Sequence, residues 1–158
     1  MKNQVVKQHI GIDIAKDDLK VCFMQRLSND KVRVKGSRTF KNTLSGYKSM
    51  ISWVEHKMEK AILISFGMEA TGIYHENLSY HLYELDYQVH VHLANVVKAY
   101  FKSLNVNTKT DKNDAKYIAQ LGLERNLRVW KPISSKMHHL KQTTRERSSI
   151  VKEKSALN

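Results

Sequence analysis

Residues 8–16 read QHIGIDIAK. Ile10, Ile12 and Ile14 alternate with Gly11, Asp13 and Ala15, the period-two pattern of a strand buried on both faces. The small residues on either side of Asp13 therefore share its face. A carboxylate turned to solvent needs no small neighbours. One that meets a metal ion or a phosphate does.

Working outward, residues 18–25 alternate again, with Leu19, Val21 and Phe23 on one face. Residues 31–40 alternate Val32 and Val34 with Arg33 and Lys35, which predicts a half-exposed strand toward a sheet edge. Asn29-Asp30 supplies the turn between them. These three strands read as an antiparallel meander. The period then changes. Leu44, Tyr47, Met50, Ile51, Val54 and Met58 recur at helical intervals within 43–60. A continuous apolar run over 61–70 predicts a strand covered on both sides, and 74–86 carries a helical stripe of Leu78, Leu82 and Leu85. Residues 88–94 alternate as a fifth strand, and helices are expected over about 95–104 and 111–124.

Three antiparallel strands followed by helix–strand–helix–strand–helix is the order of an RNase H-like α/β domain. Such a domain has a mixed five-stranded sheet with flanking helices, its first strand central and its fourth parallel to the first. Beyond Pro132, residues 133–158 contain neither Pro nor Gly and predict a C-terminal helix rich in Lys and Arg. Its apolar residues are too sparse for a clear heptad. The expected organisation is thus a domain over 1–132 and the start of a helical segment over 133–158, cut short without a helix terminator. Met137, Leu140 and Val151 would be covered only by further chain or another copy.

The chain has 158 residues, enough for one compact core, with 41% hydrophobic and 27% charged residues as in ordinary globular proteins. Lys and Arg number 27 against 15 Asp and Glu, a formal net charge of +12. That excess points to a polyanion, most simply nucleic acid. Cys22 is the only cysteine, which excludes an internal disulfide and a thiolate zinc knuckle and suits a reducing cytoplasm. The N-terminus lacks the apolar core of a signal peptide, and no apolar run approaches the length of a membrane span.

Asp13 has candidate companions. Glu69 ends the continuous apolar strand and opens into Ala70-Thr71-Gly72. Loops at strand C-termini are where α/β folds place their chemistry. Asp111 and Asp114 are three apart at the start of a helix, so they share a face with Ala115, Ile118 and Leu121. Taken alone, Thr110 or Asp111 could cap that helix and Asp114 favour its dipole. Taken together, four carboxylates repel one another unless cations neutralise them. Mg²⁺ prefers oxygen ligands, and two such ions can clamp the attacking and leaving oxygens of a phosphodiester. Lys109, Lys112 and Lys116 bracket the acid pair and Lys98 and Lys102 lie upstream, all candidates to hold nucleic-acid phosphates or simply to line a solvated face.

GIDIAK (11–16), MEATGIY (68–74) and KTDKNDAKYIA (109–119), in this order and spacing, resemble the DEDD-type transposases of insertion sequences, the bridge-RNA-guided recombinases. The resemblance covers about residues 8–132. It implies a RuvC-like domain whose acidic tetrad, here Asp13, Glu69, Asp111 and Asp114, is catalytic and binds Mg²⁺, with Mn²⁺ as a possible substitute. It also implies DNA and a structured guide RNA as partners and assembly into dimers or tetramers. Members of that family are longer, with a helical coiled-coil segment and a second domain bearing a catalytic serine, which is not assigned in this chain.

Other residues carry less. His90 and His92 share one face of a strand without a third ligand in sight, and read as polar-face residues. His138 and His139 fall on different faces of the tail helix. Tyr100 and Phe101 could stack on bases, or be one core and one exposed residue. Trp53 and Trp130 are expected in the core or at its rim. Gly-x-Asp before a hairpin also occurs in actin-like kinases, but only six unclustered glycines leave no phosphate loop. A non-catalytic nucleic-acid-binding module would keep the basic surface yet have no use for four acids.

Overall fold

A computed structural model describes residues 2–105 and 111–157; for residues 111–113 and 135 it describes the backbone alone. The elements run β1 (Val5–Ile14), β2 (Asp18–Leu27), β3 (Val32–Lys41), α1 (Leu44–Lys57), β4 (Ile64–Glu69), α2 (Glu76–Glu84), β5 (Gln88–His92), α3 (Ala94–Ser103), α4 (Asp111–Glu124) and α5 (Ser135–Ala156). One five-stranded sheet has the order β3-β2-β1-β4-β5. β1 pairs antiparallel with β2 and parallel with β4, and β5 is parallel to β4. This is the expected RNase H-like arrangement, with the Asp13 strand at its centre. β1 starts three residues earlier than the alternation around Ile10 suggests, because Val5 and Lys7 continue the ladder with β2 across a register shift.

The turns follow their chemistry. Asp30 takes the left-handed conformation (φ 63°) that Asp tolerates, and Asn29 Oδ1 accepts a hydrogen bond from the Lys31 amide at 3.1 Å. Thr43 caps α1 by accepting from the Gly46 amide at 3.1 Å.

Each face of the sheet has its own core. One face joins Ile10, Ile12, Leu19, Val21, Phe23, Phe66 and Met68 to Tyr47, Met50 and Val54 of α1 and Leu78 and Leu82 of α2. The opposite face packs Cys22 and Met24 against Ala115, Ala119 and Leu123 of α4. Gly11 makes that second contact possible. A Cβ there would run into the Ala115 carbonyl and the Ala119 amide, so strand and helix backbones touch directly. The far end of α4 is anchored by charge. Lys7 Nζ donates to the Leu123 and Arg125 carbonyls at 3.4 and 3.2 Å, and Arg26 Nη1 donates to Leu123 at 3.1 Å. These cations meet the carbonyl end of the helix dipole.

Half of α5 is attached to the domain. Arg145 donates two hydrogen bonds to Glu76, at 3.0 and 2.7 Å, and Tyr80 bonds the His138 ring at 3.1 Å. Further along, Ile150, Val151 and Leu157 are exposed, as are Met137 and Leu140 nearer its start. Trp130 packs at the rim of the first core against Tyr80 and Tyr83, and Trp53 is partly buried there too. Among the described residues no helix is long and apolar enough to cross a membrane.

Candidate functional site

The site is set by register. Ile12 of β1 lies level with Met68 of β4, so the next residues, Asp13 and Glu69, stand side by side at the C-terminal ends of parallel neighbours. They share a face. Gly67 faces His9, which is on the Gly11 and Asp13 side of β1, and Glu69 is two residues beyond Gly67. α4 covers that same face and runs opposite to β1, since Gly122 lies against His9 while Ala115 and Ala119 lie against Gly11. Two strand residues advance about 6.6 Å, the length of about four helical residues. The turn of α4 level with Asp13 is therefore its first, Asp111 to Asp114.

Asp13, Glu69 and Asp114 are all half-buried. Burial pushes the Glu69 carboxyl above its usual value, the Asp114 carboxylate pushes it further, and Lys98 partly opposes the two. Glu69 and Asp114 thus feel each other's charge. The side chains of Asp111 and Lys112 lie outside the described residues, and so does Lys109 entirely. Among the described residues no group of three His, Cys, Asp or Glu is disposed to hold a metal ion. Hard carboxylate oxygens are the kind of ligand that Mg²⁺ prefers.

Of the lysines, Lys98 and Lys102 are exposed on α3 and Lys116 is exposed on α4. Lys98 acts on Glu69, and Lys116 acts on the buried Cys22 thiol. The Phe101 and Tyr117 rings meet edge-to-face between the two helices, while Tyr100 is buried and donates to Glu124 at 2.7 Å.

The histidines differ from the sequence expectation. His90 and His92, read as polar-face residues, are buried, and their rings stack with an interplanar angle of 4°. The third imidazole absent from the local sequence arrives from β1: His9 lies 5.8 Å from His90, ring to ring. His9 Nδ1 is 2.6 Å from Ser65 Oγ, and His90 Nδ1 bonds the Arg128 carbonyl at 2.9 Å. Burial holds the His9 ring well below its usual value, aided by His90, His92 and Lys7, and lowers His92 to about 4. Gly67 and Gly122 leave the room that the His9 ring fills. Nothing in the spacing of residue 9 to residues 90 and 92 signals this cluster.

A mixed sheet with a carboxylate on its central strand and α4 across that face defines an RNase H-like domain of the RuvC kind. The structure is similar to Thermus thermophilus RuvC, with a TM-score of 0.53 and 12% identity over 78% of this chain and 99% of that one. It is similar also to Thermus thermophilus RuvC in complex with a Holliday junction substrate, with a TM-score of 0.50. The chain belongs to the DEDD transposase family of the IS110 type, whose sequence model matches residues 10–158. It is 29% identical over 153 residues to the pilin gene-inverting proteins of Moraxella bovis and Moraxella lacunata. The match takes in 90% of this chain and 46% of each relative, so the chain spans about half the length of those curated relatives.

Proposed function

We propose that this chain is the metal-binding catalytic domain of a DNA transposase or recombinase, acting on DNA phosphodiesters under the direction of a guide RNA. What supports the reading is the placement of the acids: Asp13 and Glu69 each follow one residue of the level pair Ile12 and Met68, and Glu69 lies within the field of Asp114. Asp13, Glu69, Asp111 and Asp114 would hold Mg²⁺, or Mn²⁺ in its place. When bound, the ion supplies Lewis-acid polarisation of a phosphoryl oxygen and a more acidic bound water. Lys98, beside Glu69, would draw the scissile phosphate toward the acids, with Lys102, Lys109, Lys112 and Lys116 tracking the flanking backbone. Relatives named for inverting pilin genes support DNA rearrangement as the outcome. The domain would span 1–132 and the helix from 133 would continue into a coiled coil that joins copies into dimers or tetramers. A serine nucleophile would come from further chain.

The basic surface favours one other reading, a non-catalytic nucleic-acid-binding module on the same scaffold, since a net charge of +12 would serve either role. Thermal melts of wild type and Asp13→Asn across a Mg²⁺ series separate the two. For a metal site, wild type gains stability with rising Mg²⁺ because the ion binds only the folded acids. Asp13→Asn, nearly isosteric but uncharged, gains nothing, yet is at least as stable as metal-free wild type. A less stable variant, with both proteins indifferent to Mg²⁺, would reject the catalytic reading.

A further inference from the structure

Asn42 lies between β3 and α1, outside the acid cluster, yet its side chain ties together the loops that follow the two acid-bearing strands. Its Nδ2 donates to the Ala15 carbonyl at 2.9 Å and to the Tyr74 carbonyl at 3.1 Å. Ala15 is two residues past Asp13, and Tyr74 is five past Glu69. The Tyr47 hydroxyl donates to Asn42 Oδ1 at 2.6 Å, and the Asn42 amide donates to the Asp17 carbonyl at 2.9 Å. Every hydrogen-bonding atom of the amide is used: both protons by carbonyls, the oxygen by a phenol that is 4% exposed. That pattern fixes the amide orientation, because a flipped Asn42 would set its oxygen against two carbonyl oxygens. It also rests on a rigid base. Thr43, the next residue, caps α1, and Gly46 packs so closely on the Lys41 carbonyl that a Cβ would collide with it.

We infer that Asn42 is a positioning residue, clamping the loops after β1 and β4 so that Asp13 and Glu69 are held at the separation their shared cation requires. The inference rests on the metal-site reading above. Loops at strand ends are otherwise the easiest parts of an α/β domain to move apart, and a ligand pair loses affinity when its spacing is unconstrained. Chemistry makes Asn the fitting residue: Asp offers no proton to either carbonyl, and Ser cannot donate to both.

Asn42→Asp and Tyr47→Phe test this in the 158-residue chain, with Tyr87→Phe as a remote comparator that removes only the 2.8 Å bond to Glu55. Two readouts are needed: Mg²⁺ affinity by calorimetry, and amide hydrogen exchange of the metal-free protein. Asn42→Asp should speed exchange in residues 15–18 and 70–75 and weaken Mg²⁺ binding by about 10–100-fold. Tyr47→Phe, which keeps both donors but frees the amide to turn, should weaken it several-fold. Tyr87→Phe should leave Mg²⁺ affinity unchanged. If Asn42→Asp does not fold, Tyr47→Phe decides by the same two readouts. Faster loop exchange with wild-type Mg²⁺ affinity would reduce Asn42 to a structural tie and overturn the inference. Absence of Mg²⁺ binding by wild type, with Asp13→Asn indistinguishable from it, would instead remove the metal-site reading and this inference along with it.

Discussion

Gly11 of β1 lies against the Ala119 backbone of α4, with no space for even a methyl group between them. This contact brings the first turn of α4 over the strand end that carries Asp13. Gly11→Ala would place a Cβ against helix backbone that cannot rotate aside. The expected cost is at the upper end of ordinary overpacking, about 3 kcal/mol, with α4 displaced from the sheet. Denaturant melts would show the loss. A variant as stable as wild type would mean that α4 docks otherwise.

Glu69 is destabilised as an anion by burial and by Asp114. Its folded pKa is raised, so the stability it contributes is present below the unfolded carboxyl value and is lost as pH rises through the folded one. In chelator at neutral pH, Glu69→Gln should therefore melt above wild type, and the gap should close toward pH 4. Melts of both proteins between pH 4 and 8 would check the sign, and a less stable variant at neutral pH would contradict it.

The buried imidazoles act in the opposite pH direction. His9, His90 and His92 are all held below 6.5, so the unfolded chain takes up protons that the folded chain refuses. Their contribution is complete above 6.5 and is lost as pH falls toward the folded values. For His92, lowered to about 4, the loss amounts to about 3 kcal/mol. The charges facing His9 are the other two rings and Lys7, all of which reinforce its neutrality. Thermal stability should drop steeply between pH 6.5 and 4.5. A flat profile across that window would show the rings protonating without cost.

Binding of DNA should weaken linearly on a log–log plot against salt, as expected when lysines displace condensed counterions. Lys98→Ala should weaken binding across unrelated sequences and make the salt slope shallower by about 1. Filter binding or anisotropy between low and moderate salt would measure it. An unchanged slope would take Lys98 off the phosphate path.

Much of this was legible locally. Alternation around Ile10, Val21 and Val34 and the helical spacing of Met50, Ile51 and Val54 gave elements within a few residues of those observed, since strand and helix periods are properties of short stretches. That Asp13 and Glu69 follow the level pair Ile12 and Met68 needed one further step, the parallel neighbourhood of β1 and β4.

What the sequence by itself determined is therefore the order and type of the elements, the basic charge, and the acids at their ends. Only the tertiary structure decided which distant residues meet. His9 joins His90 and His92 because β1 and β5 flank β4, and Asn42 joins Ala15 to Tyr74 because three loops share one end of the sheet. Such contacts leave no period in the chain. They arise from close packing across separate elements, where a single glycine such as Gly11, Gly67 or Gly122 sets how near two backbones or a ring can come.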